Sequence, residues 1–272
     1  MNTVKLRLKA ELTSPVDCRP LQPAKLCAMD EQNIAEMAIN VGGAKHRLGD
    51  LFDVTLGAGD QHLQIQDAST HLHYIGAEID GGRITIDGDV GNYVAYAMKN
   101  GEVLVNGNAG NFTGSGQKGG LVHIRGAVGN YAGGAVDTEM QGLKGGTLMI
   151  TGACGNFLGY KMRRGIIVAH DTVGDHCASN MIAGTIIIGN RCGRYLGLGM
   201  RRGTVIFLEK VKLDVPTFNP CGSFSLPILA ILRHHLHSIN HHVAMRLAKI
   251  RKVRKLCGDL GYDGQGEILI AD

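Results

Sequence analysis

Positively charged side chains recur at one fixed position of this sequence, two residues before a regularly spaced glycine. The members of this cation row are Lys99, Lys118, Lys144, Arg163 and Arg201, with Arg164 and Arg202 beside two of them and Ile182 interrupting the series. Like charges stacked at about 4.8 Å, the spacing of paired strands, repel one another unless they splay into water or bind anions. The row is therefore either a solvated corner of the fold or a binding surface for an extended polyanion, such as a polycarboxylate chain or an acidic partner surface.

The other residue types that could do chemistry form no catalytic constellation. A histidine group could in principle bind a metal, but no cysteine or carboxylate at ligand spacing joins it, so a subunit interface is the favoured interpretation. Its members are His234, His235, His237, His241 and His242. Cys154 and Cys192 occupy a slot otherwise filled by Val or Ala, which predicts small core side chains rather than nucleophiles. The carboxylates nearest the glycine turns, which lack an orienting histidine, are Asp87, Asp89, Asp171 and Asp175. We predict no catalytic residue and no metal ligand in this chain.

A tandem repeat accounts for most of the 40 glycines. The anchor glycines, each preceding a strand-like run, are Gly82, Gly101, Gly120, Gly146, Gly165, Gly184 and Gly203. Their spacing is 19 residues except for one interval of 26, which contains a seven-residue insertion. A second glycine follows nine residues after the first six anchors, at Gly91, Gly110, Gly129, Gly155, Gly174 and Gly193. Glycine at these corners supplies positive φ angles and avoids a Cβ clash between successive coils.

The positions between the glycines predict how the repeat folds. Apolar residues stand two and four places after each anchor, as in Ile84 and Ile86, which indicates short strands with one face inward. A ring recurs eleven places after the anchor, at Tyr93, Phe112, Tyr131, Phe157, His176 and Tyr195. Because 19 residues are too few for a crossover helix, each strand can pair in parallel with the next only by coiling. We predict an all-β core, a right-handed parallel β-helix of about seven coils.

The two ends lack the repeat and are predicted to protect its open edges. We expect an N-terminal cap over residues 1–62, with a strand at 4–8, a helix at 30–38 and a strand at 46–55. The β-helix domain is placed at residues 63–210, with a degenerate first coil at 63–80. Residues 211–272 are expected to form a linker, one long helix that starts near 225–227 and ends at Gly258, and a tail from 261. The basic run in that helix, predicted to be a solvated or partner-facing surface, is Arg246, Lys249, Arg251, Lys252, Arg254 and Lys255.

Composition narrows the class of protein. The formal charge of +4 over 272 residues is too small and too dispersed to argue for a nucleic-acid partner, and no stretch is apolar enough to predict a membrane span. The seven cysteines include no CxxC pair and no signal peptide is recognised, so we expect a reduced, cytoplasmic protein.

The repeat segments resemble a known family. GGRITIDGDVGNYVAYAMKNG, GGLVHIRGAVGNYAGG and GGTLMITGACGNFLGYKMRRG are similar to the C subunit of formylmethanofuran dehydrogenase and to the structural C-terminal domain of glutamate synthase large chains, over residues 63–210. The insertion coil GGAVDTEMQGLKGG, the segment RRGTVIFL and the segment VPTFNPCG most resemble the C subunit of the formyltransferase/hydrolase complex of methylotrophic bacteria.

This resemblance implies a scaffold or binding subunit in a four-subunit complex of one-carbon metabolism, from formaldehyde to formate. Such a complex moves a formyl group from formyltetrahydromethanopterin to a methanofuran-type carrier and hydrolyses it to formate. It also implies amidohydrolase-like, transferase and further structural partner subunits, no cofactor bound by this chain, and a carrier with an oligoglutamate tail that would suit the cation row. Three alternatives stay open: the C subunit of a molybdenum or tungsten formylmethanofuran dehydrogenase, a glutamate-synthase-like structural subunit, and an independent polyanion-binding module.

Overall fold

The computed structural model describes residues 2–272, the side chain of His241 excepted, and is mostly β. The N-terminal elements are β1 (Asn2–Leu8), β2 (Val16–Asp17), α1 (Pro23–Leu26), α2 (Glu31–Glu36), β3 (Ala38–Val41), β4 (Ala44–Arg47), α3 (Leu48–Leu51) and β5 (Phe52–Ala58). The expected strand at 4–8 and helix at 30–38 are confirmed as β1 and α2. Asp30 caps α2 by accepting the Asn33 N–H at 2.8 Å. The single strand expected at 46–55 is wrong, because α3 breaks it, with Asp50 accepting the Arg47 N–H at 3.2 Å.

The repeat folds into the centre of a 13-stranded sheet. Its strands are β6 (His62–Ala68), β8 (Asp80–Gly88), β9 (Asn100–Val105), β10 (Leu121–Ile124), β11 (Thr147–Ile150), β12 (Ile166–Ala169), β13 (Thr185–Ile188) and β14 (Arg202–Phe207). The short strand β7 (Leu72–His73), which lies between β6 and β8 in the chain, belongs to another sheet. Strands β6 and β8–β14 pair in parallel in chain order. Their inward residues align rung upon rung and are fully buried, as in Val103, Val122 and Leu148. β2, β3, β4 and β7 form a separate 4-stranded sheet.

A second row of parallel bridges runs beside this sheet. It joins Ala109, Val128, Cys154, Val173 and Cys192 in turn. Two parallel rows in one repeat are compatible with the predicted β-helix. Close packing between coils explains the glycines: at Gly120, which has φ of +73°, a Cβ would lie 2.5 Å from the Gly101 carbonyl oxygen.

The C-terminal segment differs from the expected long helix and tail. Its elements are β15 (Asn219–Phe224), α4 (Ile228–His237), α5 (His241–Lys249), β16 (Val253–Gly258) and β17 (Gln265–Ala271). The helix is broken because Asn240 caps a new helix, accepting the Val243 N–H at 3.1 Å. The tail is a strand, β17, which pairs in parallel with β14 and buries Ile268 and Ile270 as one more rung. No helix within residues 2–272 is long and apolar enough to cross a membrane.

The helices cover the outer face of the parallel sheet and create a second core. Outward-facing Met149, Val168, Ile187 and Ile206 pack with buried residues of both helices, among them Leu236. Sequence analysis did not predict this covered face, although the strands carry a signal for it. The outward position holds Gln64, Thr85, Leu104 and His123 in the earlier strands and is apolar in every strand from β11 to β14.

Candidate polyanion-binding surface

The structure stacks the cation row one coil above another. The backbone N–H of each member donates to the carbonyl of the residue that precedes the member below it. These bonds are Lys118 to Met98 at 2.8 Å, Lys144 to Gln117 at 2.7 Å, Arg163 to Leu143 at 2.9 Å, Ile182 to Met162 at 2.8 Å and Arg201 to Met181 at 2.9 Å. The charged side chains therefore follow one corner of the repeat, with the gap at Ile182 as expected.

Most of the row is exposed and uncompensated. Lys99, Lys118, Arg163, Arg164, Arg201 and Arg202 are all exposed. Lys144 is half-buried and pairs with Glu139 of the insertion, with 3.1 Å between Nζ and Oε2. Arg202 donates to Gln265 at 2.8 Å. Within residues 2–272, Lys144 is the member that forms an ion pair and Arg202 is held by Gln265, so Lys99, Lys118, Arg163, Arg164 and Arg201 present unpaired cations to solvent.

A continuous stack of rings runs along another corner. Seven rings take part: Tyr74, Tyr93, Phe112, Tyr131, Phe157, His176 and Tyr195. Neighbouring centroids are 4.6–5.1 Å apart with nearly parallel planes. Every ring residue has φ between 59° and 63°. Tyr74 extends the series predicted from the repeat by one coil, because residues 63–80 form a coil despite their degenerate sequence.

The carboxylates singled out by the sequence hold coils together. Asp87 pairs with the amide of Asn106, and Asp171 accepts from Asn190 at 3.2 Å. Asp89 accepts the Asn108 N–H at 2.7 Å. Asp175 belongs to a row of side-chain oxygens that each accept a backbone N–H of the next coil, together with Asn92, Asn111, Asn130 and Asn156. Asp89 and Asp175 thus bind the backbone of the next coil, and Asp87 and Asp171 bind asparagine side chains of the next coil.

The predicted small core cysteines are confirmed in part. Cys154 is buried, and burial raises the pKa of its thiol to about 12. Cys192 is only half-buried and lines a cavity. A hydrogen bond to Cys192, together with burial, raises the pKa of Cys177.

The histidines divide between two surfaces. His234 and His237 line a shallow cavity on the helices, and the His242 ring lies 6.1 Å from that of His170. The side chain of His241 lies outside the described residues. Burial, followed by the nearby His242, lowers the pKa of His170 to about 4. Among the described side chains, no three His, Cys, Asp or Glu residues come together as a metal site.

The basic run is not one helical surface, because it is divided between α5 and β16. Arg246 donates to the Gly189 carbonyl and to Glu209, both at 2.7 Å. Arg254 donates to the Val211 carbonyl at 3.1 Å, and Lys255 pairs with Glu267. Arg246 thus fastens α5 to the repeat. The expected placement on one helix is wrong, whereas Lys249, Arg251, Lys252 and Arg254 are exposed, as a solvated surface requires.

Fold and site together define a glycine-rich, mostly β repeat protein that presents a row of free cations. Over 266 residues the chain is 52% identical to the C subunit of the formyltransferase/hydrolase complex Fhc of Methylorubrum extorquens, covering 97% of this chain and 98% of that protein. It therefore belongs to the family of Fhc C subunits. It also matches a chain of the X-ray crystal structure of the formyltransferase/hydrolase complex (FhcABCD) from Methylorubrum extorquens in complex with methylofuran. That match has a TM-score of 0.91 and 36% identity, over 98% of this chain and 99% of the other.

A more distant relative is the C subunit of the tungsten-containing formylmethanofuran dehydrogenase 2 of Methanococcus maripaludis. The identity is 29% over 95 residues, which is 35% of each chain. No protein-family model matches the sequence.

Proposed function

We propose that this chain is a non-catalytic scaffold and binding subunit of a formyltransferase/hydrolase complex in tetrahydromethanopterin-linked one-carbon metabolism, from formaldehyde to formate. The observation that carries this proposal is the 52% identity to the Fhc C subunit over nearly the whole of both chains. The carboxylates near the glycine turns accept hydrogen bonds from the next coil, which supports a structural role for the repeat.

In this proposal the repeat forms a right-handed parallel β-helix over residues 63–210, between a cap at 1–62 and a C-terminal segment at 211–272. Two parallel rows of pairing, each advancing by one repeat, support the coil. The partners are an amidohydrolase-like, a transferase and a further structural subunit, and the location is the cytoplasm. The complex works with a methanofuran-type carrier and tetrahydromethanopterin, neither of which is a resident cofactor of this chain.

The cation row serves to bind the polyglutamate tail of the carrier. Lys99, Lys118 and Arg163 are exposed and lie at successive or nearby levels of the repeat, so several carboxylates of one extended chain can reach them together. Each contact is weak in water, and affinity comes from their number on one connected ligand. The gap at Ile182 divides the row into a longer arm and a shorter arm at Arg201.

Charge reversal tests this role of the row. Binding of a hexaglutamate peptide by the purified chain should weaken about fivefold or more in Lys118→Glu and in Arg163→Glu, and the difference should shrink as salt rises. Lys45→Glu, an exposed position of β4, makes the same change in net charge away from the row and should bind like wild type. Equal affinities for all four proteins would eliminate the row as a binding surface.

The second candidate is the C subunit of a tungsten or molybdenum formylmethanofuran dehydrogenase, favoured by the 95-residue likeness to that protein. Purification of the tagged chain from its own host at moderate salt, with mass spectrometry of what accompanies it, separates the candidates. Amidohydrolase-like and transferase partners are expected. Iron–sulfur and molybdopterin subunits would shift the assignment to the dehydrogenase, and a lone monomer would leave only a free binding module.

A further inference from the structure

The two ends of the ring stack differ in how fully the terminal ring is covered. At the N-terminal end, the guanidinium of Arg19 lies 5.0 Å from the centroid of the Tyr74 ring and is paired with Asp17. At the other end, the guanidinium of the exposed Arg194 lies farther from its ring, 6.0 Å from the centroid of Tyr195. Tyr195 nevertheless remains 54% exposed and forms part of a cavity of about 460 Å³. Other residues of this cavity are Cys192, Arg194, Leu198, Lys212 and Asp214. The stack therefore ends in an open space large enough for another ring.

The backbone of the last coil lacks the partner that every earlier coil has at this corner. The N–H of Phe157 donates to the Asp175 carbonyl at 2.9 Å, and that of His176 to the Arg194 carbonyl at 2.8 Å. In each case the acceptor is the carbonyl immediately before the next ring residue of the stack. For Tyr195, no such acceptor is present in the described part of the chain. Its N–H is left for an acceptor in the cavity.

The backbone N–H of Cys192, three residues before Tyr195, also lacks an acceptor within the described residues. The equivalent residue one coil below, Val173, donates its N–H to the Arg191 carbonyl at 2.8 Å. The N–H of Cys192 has no backbone acceptor among residues 2–272. The cavity therefore holds two backbone donors that point where a further coil would lie.

At a neighbouring corner of the same last coil, a backbone N–H does have an acceptor, so the coil does not lack acceptors at every corner. One coil below, the N–H of Asn180 donates to the Leu198 carbonyl at 2.8 Å. In the last coil the N–H of Gly199 donates instead to the carboxylate of Asp259, also at 2.8 Å. An acceptor from outside the repeat thus replaces the missing coil there, whereas the ring corner keeps its donors free.

The segment that follows the repeat passes the cavity without filling it. Val211, Leu213 and Val215 pack against the core, while the intervening Lys212 and Asp214 face outward. The charged residues around the cavity are Arg194 and Lys212, balanced by Asp175 and Asp214. Two charges of each sign favour an occupant without net charge.

We propose that this cavity receives, from a partner polypeptide, an aromatic side chain together with the backbone carbonyl that precedes it. The ring stacks on Tyr195 as the eighth of the series, and the carbonyl accepts from the Tyr195 N–H, which is the arrangement that Arg194 and Tyr195 supply to His176. The partner thus adds one corner of a coil to the end of the repeat. This inference rests on the proposed function, because it requires a complex.

The chemistry of the site is testable on the isolated chain, which contains no tryptophan. N-acetyltryptophanamide carries an acyl carbonyl before its ring, so its fluorescence reports stacking without background. We expect binding with a Kd of about 1 mM or tighter, and binding at least threefold weaker for 3-methylindole, which has the ring alone.

Variants at the two ends of the stack control this measurement. Tyr195→Ala should weaken N-acetyltryptophanamide binding about fivefold or more, Tyr195→Phe should keep it, and Tyr74→Ala, at the end covered by Arg19, should leave it unchanged. Circular dichroism establishes that each variant is folded. Equal binding by Tyr195→Ala and Tyr195→Phe, or no binding by any protein, would overturn the proposal.

Alkylation of Cys192, which lines the cavity, reports whether the cavity is occupied in the complex. Its alkylation should be at least tenfold slower in the purified complex than in the isolated chain. In the isolated chain, N-acetyltryptophanamide should slow the alkylation of Cys192 and leave the alkylation of the exposed Cys221 unchanged. An assembled complex with Cys192 fully reactive contradicts this inference and leaves the proposed function standing. A chain that recruits no partner contradicts both.

Discussion

Tyr131 and Phe157 stack with their ring centroids 4.6 Å apart and their planes 1° from parallel, although 26 residues separate them. Phe157 and His176, separated by 19 residues, have nearly the same geometry, at 4.7 Å and 6°. The seven-residue insertion therefore leaves the register of the coils unchanged and is displaced outward. One consequence is that Glu139 of the insertion reaches Lys144 of the cation row.

Glu139→Gln should strengthen polyglutamate binding. The change removes the carboxylate that pairs with Lys144 at 3.1 Å and adds a free cation between Lys118 and Arg163. Because a partly exposed pair is worth about 0.2–1 kcal/mol, we expect a gain of about 1.4- to 5-fold in affinity for hexaglutamate, measured by calorimetry in low salt. Asp137→Asn, in the same loop, removes the same charge without freeing Lys144 and should have a smaller effect. An equal gain in Asp137→Asn would show that only the overall charge matters.

The row of asparagine oxygens should contribute to stability through its acceptors. Asn111 Oδ1 accepts the Asn130 N–H at 2.7 Å. Asn111→Ala should lower the free energy of unfolding by about 1 kcal/mol, measured by urea denaturation, because this N–H loses its acceptor. Asn111→Asp keeps the oxygen, as Asp175 does naturally in the same row, and should lose less. Equal losses in the two variants would argue against the acceptor as the cause.

His170 should make stability depend on pH. Burial, with His242, His123 and Arg246 nearby, lowers its pKa to about 4 in the folded chain, against about 6.5 when unfolded. As the pH falls from about 6.5 to 4, the unfolded chain takes up the proton first, so the free energy of unfolding falls in that window. After allowance for solvent screening we expect a loss of about 1–2 kcal/mol.

The matched variant for this pH dependence is His170→Gln. Glutamine keeps a hydrogen-bonding partner for Asn240, whose Nδ2 lies 3.1 Å from His170 Nε2, and it does not titrate. Thermal unfolding at pH 7.5, 5.5 and 4.5 should show a smaller loss in this variant than in wild type. Parallel curves for the two proteins would assign the pH dependence to other groups.

The stability of helices α4 and α5 should depend on the side chains that they bury against the sheet. Leu236 is fully buried against the outer face of the sheet, so Leu236→Ala should cost about 2–5 kcal/mol. Ile231, on the same helix, is 64% exposed, and Ile231→Ala should cost less than about 0.5 kcal/mol. Hydrogen exchange should show faster exchange of α4 and α5 in the first variant only. Unchanged exchange would mean that the helices are held by other contacts.

The sequence predicted the interior of the repeat well because identical positions meet. Once the 19-residue period is known, the inward pairs, the ring stack and the cation row each follow from stacking one coil on the next. Tyr74 was missed because the first coil lacks the glycine pattern and is two residues longer, with Leu63 paired to Ile84.

The ends could not be predicted in the same way, because their partners are distant in sequence. β17 pairs with β14, so that Ile268 lies beside Val205, 63 residues earlier. Nothing local distinguishes such a strand from a tail with alternating apolar residues. The end of the ring stack was likewise invisible, since Tyr195 has the same sequence environment as the rings below it and differs only in lacking a coil above.

Membership of the complex is tested most directly by replacing the Fhc C subunit with this chain in Methylorubrum extorquens, followed by affinity purification through another protein of the Fhc complex. We predict that the chain is recovered in the complex in stoichiometric amount and that the complex retains formyl transfer and formate release. A complex that assembles and works without the chain, or a chain that stays outside it when well expressed and folded, would contradict the assignment of this chain to the complex.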